Sequence, residues 1–306
     1  MNYQLLGKTK LKVPAIGVGC MRMANMPPQD LQNFIAQSLD LGMNFFDHAD
    51  IYGGGKCEEV FADGIKSLSV CRDKIILQSK CGIVPGKMYD FSKTHILQSV
   101  DGILKRLKTD YLDVLILHRP DVFFDGEELA ETFDELAKSG KVLHFGVSNH
   151  NPIQIQLLKK YLHQDLIVNQ MQFGLGHCKM ISQSLEVNMN SDGGISRDGG
   201  VLEYCRLNDI TLQAWSPFQS DNGSGCFIDN ENYGNLNGVL WELGQKYGVS
   251  KTTIAVAWIL RHPAKIQLIT GTMNINRLDE IAKATEINLS REDWYRLYLS
   301  AGHFLP

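Results

Sequence analysis

The stretch Phe45-Phe46-Asp47-His48-Ala49-Asp50-Ile51-Tyr52-Gly53 sets two apolar residues directly before an aspartate, with a tyrosine five positions further on. A strand that ends at Asp47 and a loop that carries Tyr52 put a carboxylate and a phenol at one rim. Two similar junctions recur downstream, Ile75-Ile76-Leu77-Gln78-Ser79-Lys80 and Leu112-Asp113-Val114-Leu115-Ile116-Leu117-His118. Asp47, Tyr52, Lys80 and His118 thus fall at or just beyond the ends of successive strands, as one candidate catalytic group.

Outward from this stretch, strand and helix patterns alternate. A short hairpin is expected over Tyr3–Leu6 and Lys12–Ala15. Strands are expected at Ile16–Cys20, Asn44–Asp47, Lys74–Lys80, Leu112–His118, Leu143–Ser148, Ile167–Gln172, Ile210–Trp215 and Lys265–Ile269. Helical spacing occupies Asp30–Leu41, Lys56–Lys66, Lys93–Leu107, Glu127–Ser139, Pro152–Leu162, Gly200–Asn208, Tyr233–Tyr247, Ser250–His262 and Asn274–Ala284. Asn151 is a natural cap for the helix that Pro152 opens. Ser290–Leu299 reads as an appended C-terminal helix. Eight strands alternating with helices imply a parallel α/β fold closed as a (β/α)8 TIM barrel. An open doubly wound sheet would want a glycine fingerprint after its first strand, and Gly17-x-Gly19 is followed by Cys20-Met21-Arg22 instead.

The chain of 306 residues is read as a single barrel domain, 1–306. A net charge of −4 argues against nucleic acid or an anionic membrane as the main partner. The first residues lack a signal-peptide core, and no apolar run is long enough to span a bilayer. Seven scattered cysteines, with no C-x-x-C pair, read as free thiols in a cytoplasmic protein. No strand end carries H-x-H, so no metal is expected. Quaternary structure is expected to be a monomer or a weak oligomer.

Several segments together resemble the aldo-keto reductase family, in particular a bacterial branch of predicted oxidoreductases. They are Asn44–Gly53, Lys80, Asp113–Pro120, Gly140–Asn149, Asn169-Gln170 and Ala214-Trp215-Ser216-Pro217, in this order and spacing. The resemblance implies a hydride transfer between NADP(H) and a small carbonyl substrate, with Tyr52 as proton donor. A free phenol has a pKa of about 10, and the Lys80 ammonium, held by Asp47, is expected to lower it. His118 would orient the carbonyl and stabilise developing oxyanion charge. The resemblance further implies that Ser148, Asn149 and Gln170 clamp the nicotinamide carboxamide and that Trp215 stacks on its ring. Gly19, Cys20 and Met21, with Ser216, Pro217 and Phe218, complete the cofactor rim. Gly271, Thr272, Asn274, Arg277 and Glu280 match the segment for adenine and the 2′-phosphate. Gly271 stands where many relatives carry lysine, which leaves Arg277 as the charged donor.

Each of these residues also has a plain structural reading. Tyr52 could be a loop aromatic, Asp47–Lys80 a structural ion pair and His118 a satisfied strand-end histidine. His48 is either a second rim group or a packing residue. The Gly-, Asn- and Ser-rich run Gln219–Asn232 is either a flap over the pyrophosphate or a solvent loop. Two other activities compete: a Schiff-base aldolase with Lys80 as nucleophile, and a cofactor-holding regulatory subunit with little turnover. The pocket is expected to be lined by Met21–Met26, Tyr52, Tyr89, Pro120–Phe124 and Trp215, which suits apolar or aromatic carbonyls. The short tail Ala301–Pro306 suggests that it is open.

Overall fold

The computed structural model describes residues 1–220, 223 and 225–305. Eight strands close a barrel: β1 Ile16–Gly19, β2 Phe45–Asp47, β3 Ile76–Cys81, β4 Leu112–Leu117, β5 Val142–Ser148, β6 Leu166–Gln172, β7 Thr211–Trp215 and β8 Gln267–Thr270. Every neighbouring pair is parallel, with β8 returning to β1, so no edge is left unpaired. The (β/α)8 architecture read from the strand–helix alternation is the observed one.

The helices start where the sequence supplies an acceptor for their orphan amides. Ser92, Asp125, Ser250 and Ser290 each cap a helix through the side chain. Asn151 and Gln154 form a reciprocal capping box, with Pro152 in the first turn. The expected appended helix spans Arg291–Ser300. Packing divides into two apolar regions. The larger lies between the barrel and its helices. The smaller fills the barrel floor, where Leu6 and Val13 of the hairpin meet Phe45, Ile76, Val114, Ile116 and Ile167. The hairpin Tyr3–Leu5 with Lys12–Pro14 therefore seals the end opposite the rim.

Two elements differ from expectation. The run after β6 contains a short helix, Lys179–Leu185, which no side chain caps. Burial of Met180 and Ile181 holds it, and that burial is invisible to local sequence. Residues after β3 form a small antiparallel pair, Ile83–Val84 with Met88–Tyr89.

The loop that carries Tyr52 is tied down from behind. It runs through the glycines 53–55, all at positive φ, into helix Lys56–Ser67. Glu58 in that helix is fully buried; it accepts from Ser79 Oγ at 2.8 Å and from Arg106 Nε at 2.7 Å. A Cβ on Gly55 would stand 2.7 Å from Arg106 Cδ, so the bare glycine is what admits the guanidinium. Arg106→Ala strands a buried carboxylate. The variant is expected to lose about 3–5 kcal/mol of stability, read as a lower urea midpoint at unchanged slope.

Candidate active site

Register carries the polar residues to one level. Asp47 on β2 lies opposite Gln78 on β3, and Ser148, Gln170, Gln213 and Gln267 are successive partners across β5 to β8. Lys80 ends this layer two residues beyond Gln78.

The Lys80 side chain is wholly buried. Its ammonium donates to Asp47 Oδ1 at 2.8 Å, to Asp47 Oδ2 at 2.7 Å and to the His48 carbonyl at 2.8 Å. Tyr52 Oη lies 3.3 Å from the same nitrogen. Burial opposes the charge, but attraction to Asp47 and the hydrogen bonds outweigh it, and the ammonium is held above the usual lysine range. The glutamines complete the shell around the carboxylate. Gln78 donates to Asp47 Oδ1 at 2.5 Å and Gln170 at 3.1 Å. Gln213 accepts from both amides and donates on to Gln267, which donates to the Pro14 carbonyl.

One expectation is corrected here. Lys80 does pull the Tyr52 phenol down, but burial, reinforced by the Asp47 charge, pushes it up further, and its pKa lies above the ordinary value. The hydroxyl is a protonated donor at neutral pH. The His118 ring meets the Tyr52 ring edge-on, with centroids 6.0 Å apart. Burial, then the charges of Lys80 and Arg119, push its pKa down to about 3. His118 Nδ1 is buried without a hydrogen-bond partner, so the neutral tautomer with its proton on Nε2, at the cavity, is favoured. His48 is a packing residue: its ring lies against Phe61 and both ring nitrogens are buried without partners. What it contributes to the site is its carbonyl.

A cavity of about 1000 Å³ runs from this group across the rim. Gly19, Met21, Ser148, Asn149, Gln170, Trp215, Ser216, Pro217, Phe218, Gly271, Thr272, Asn274 and Arg277 all line it, as the sequence suggested. The polar groups at the ends of β5, β6 and β7 are hydrogen-bonded to one another. Ser148 Oγ donates to the Gln170 carbonyl, Asn149 Nδ2 to Ser148 Oγ, and Trp215 Nε1 to Asn149 Oδ1. Asn149 and Ser216 sit at positive φ, a backbone that non-glycine residues seldom adopt.

Two expected residues do not face the cavity. Cys20 is buried, with its thiol against the Val18 carbonyl. The Glu280 carboxylate accepts from Ser250 Oγ of the neighbouring helix at 3.1 Å. Asn274 spends its side-chain oxygen capping its own helix, at Asn276 N. Of the expected pocket residues, 23–26, Tyr89 and 120–124 are also absent from the lining, and Phe123 is 93% exposed. Ile51, Ile83 and Arg119 stand there instead. The Gln219–Asn232 run reaches the cavity through Gln219, Gly223, Gly225 and Cys226. Residues 221, 222 and 224 of that run lie outside the described residues.

Gln78, Gln213, Gln267, Arg22 and Arg119 also reach the site; Gln78 and Arg119 stand inside segments quoted for the strand ends or the family resemblance but without a role of their own, and the other three stand outside those segments. Arg22 donates from Nη1 to the Gly271 carbonyl at 3.2 Å, which brings a second guanidinium to the outer end of the cavity beside Arg277. The three glutamines carry one usable signal: a lone amide inside an apolar strand, as in Leu212-Gln213-Ala214 and Ile266-Gln267-Leu268. All seven cysteines are free. Among the described residues no group of three metal-ligating side chains exists, and no helix is long and apolar enough to cross a membrane.

Comparison with known proteins agrees with this fold. A family model described as aldo/keto reductase family matches residues 15–298. A 6-dehydroglucose reductase of Agrobacterium fabrum is 34% identical over 304 residues, 95% of each chain. Oxidoreductase YdhF of Escherichia coli is 32% identical over 92% of this chain and 91% of its own. The crystal structure of the thermostable aldo-keto reductase Tm1743 with the inhibitor epalrestat superposes with a TM-score of 0.80 at 26% identity, covering 98% of this chain and 100% of that one. Fold and site together define a barrel oxidoreductase. The chain belongs to the aldo/keto reductase family.

The buried histidines give a direct test of the electrostatics. His48 and His118, both lowered to about 3, take up their protons in the unfolded chain first. Stability should therefore fall as pH drops from about 6.5 towards 3. Imidazole NMR signals of both rings should remain those of the neutral form from pH 8 to pH 5.

Proposed function

We propose that this chain is an NADP(H)-dependent reductase of aldehydes or ketones, acting on a small-molecule carbonyl with Tyr52 as proton donor. The observation that carries the reading is the buried Lys80 ammonium, pinned by Asp47 and 3.3 Å from the Tyr52 hydroxyl. A nicotinamide dinucleotide, when bound, supplies the hydride for the carbonyl carbon. Tyr52 Oη delivers the proton to the carbonyl oxygen, and Lys80 stabilises the phenolate left behind. Neutral His118 donates from Nε2 to the same oxygen and offsets its developing charge. Asp47 and the His48 carbonyl keep Lys80 charged and in place.

The lining chemistry fits a dinucleotide. Ser148, Asn149 and Gln170 offer amide and hydroxyl groups for a carboxamide, and Trp215 offers a flat ring. Arg277 and Arg22 place two guanidinium groups at the outer end for phosphate, which favours NADP(H) over NAD(H) despite Gly271. The Schiff-base alternative needs a neutral Lys80, and the ion pair with Asp47 opposes it.

Tyr52→Phe should retain NADPH binding while turnover falls by about two orders of magnitude or more. NADPH consumption against a panel of aldehydes, ketones and quinones measures this. Near-wild-type turnover in the variant would sink the assignment, and NADPH binding with no turnover by the wild type would leave a cofactor-holding subunit. Borohydride should trap no adduct on Lys80.

Cofactor choice is tested separately. Arg277→Ala should weaken NADPH by about ten- to a hundredfold and NADH much less, since only the former carries the 2′-phosphate. Paired titrations by tryptophan quenching read the difference; equal losses would remove Arg277 from the phosphate site.

A further inference from the structure

Arg119 follows His118 directly and lines the same cavity as Tyr52 and His118. It is half-buried, and its guanidinium carbon lies 5.8 Å from the centroid of the Trp215 ring. Among the described residues Arg119 forms no salt bridge; the ion pairs on this side of the barrel are Lys80–Asp47, Arg72–Asp113 and Arg106–Glu58. An aromatic face offsets only part of the cost of drawing a cation out of water. Lys80, the other cation at this end of the cavity, is fully engaged by Asp47. Among the described residues Arg119 is therefore a positive charge without an ion-pair partner, lining the same cavity as Tyr52 and His118.

The cofactor's phosphates do not account for it. Arg119 sits just beyond β4, whereas Gly271, Thr272 and Arg277 follow β8, and in the closed barrel order these two strands are diametrically opposed. A group bound by Arg119 lies on the substrate side. Ile51, Ile83 and Trp215 give the same cavity an apolar part of its lining, and the Trp215 ring faces the guanidinium. A single guanidinium with apolar neighbours matches a planar monoanion on a short hydrocarbon spacer.

We infer, resting on the reductase reading above, that the preferred substrates are oxo acids: aldehydes or ketones whose carbonyl binds at Tyr52 and His118 while a carboxylate pairs with Arg119. This changes the expectation of purely apolar or aromatic carbonyls. It also gives Arg119 a second effect, since its charge helps keep His118 neutral.

The test uses the NADPH-loaded protein and a matched pair, 4-carboxybenzaldehyde and its methyl ester, which share ring and aldehyde and differ by one charge and one methyl group. Wild type should favour the acid in kcat/KM by tenfold or more. Arg119→Ala should reduce kcat/KM for the acid at least tenfold more than for the ester, mainly through KM, as expected for loss of one charge-assisted contact. Arg119→Lys, which keeps the charge but not the fork, should recover part of it. A second readout needs no turnover: binding of 4-(hydroxymethyl)benzoate to the NADP+-loaded protein should weaken about ten- to a hundredfold in Arg119→Ala. If the acid and ester lose equally, or wild type does not prefer the acid, the oxo-acid inference falls and the reductase reading stands. If carboxylate binding depends on Arg119 but neither aldehyde is turned over, the anion site stands and the reductase reading falls.

Discussion

The buried ion pair of Lys80 and Asp47 is the constraint on which the site depends. Two opposite charges in a barrel interior cost several kcal/mol each to desolvate, and their attraction offsets this only when every remaining polar atom is satisfied. Here the carboxylate takes the ammonium on both oxygens and two glutamine amides besides, and the ammonium finds the His48 carbonyl as a further acceptor. The amide layer runs on through Gln213 and Gln267 to the Pro14 carbonyl beside the hairpin. Rim and floor are thus joined by one hydrogen-bonded chain through the middle of the barrel. Such a layer permits no gradual rearrangement, because displacing one amide leaves its neighbour unpaired in a low-dielectric interior.

Around this pair, charge is distributed so that each group keeps one protonation state. Lys80 stays charged because Asp47 faces it. His118 stays neutral because it is buried and has two cations for neighbours. The Tyr52 phenol stays protonated because burial outweighs the help that Lys80 gives its anion. The tyrosine is therefore better described as an acid held ready than as one whose pKa has been brought down to neutrality. In the proposed reduction the ammonium would act at the moment the proton leaves, when the phenolate gains its full attraction.

The cavity itself is divided by the topology. Residues after β1 and β8 carry the guanidinium groups of Arg22 and Arg277 to the cavity, a residue after β4 carries that of Arg119 from the opposite side of the barrel, and the amides of β5 and β6 line it as well. Closing the sheet is what sets these sides apart, since β4 and β8 never meet along the chain.

Strand order, the barrel, most helix limits and the four residues Asp47, Tyr52, Lys80 and His118 follow from local pattern: period-two apolar runs, capping residues and polar strand ends are written into consecutive positions. The hairpin and the capped helix at Pro152 are legible for the same reason. The short helix Lys179–Leu185, the fates of Cys20 and Glu280, the glutamine layer and the reach of Arg22 to Gly271 are not. Each depends on burial or on a partner that tertiary packing supplies, which the immediate neighbours in the chain do not decide. The direction of the Tyr52 shift belongs to the same class. Sequence names the lysine that would stabilise the phenolate, but only the packed structure decides how much water is lost from around it, and here that loss is the larger effect.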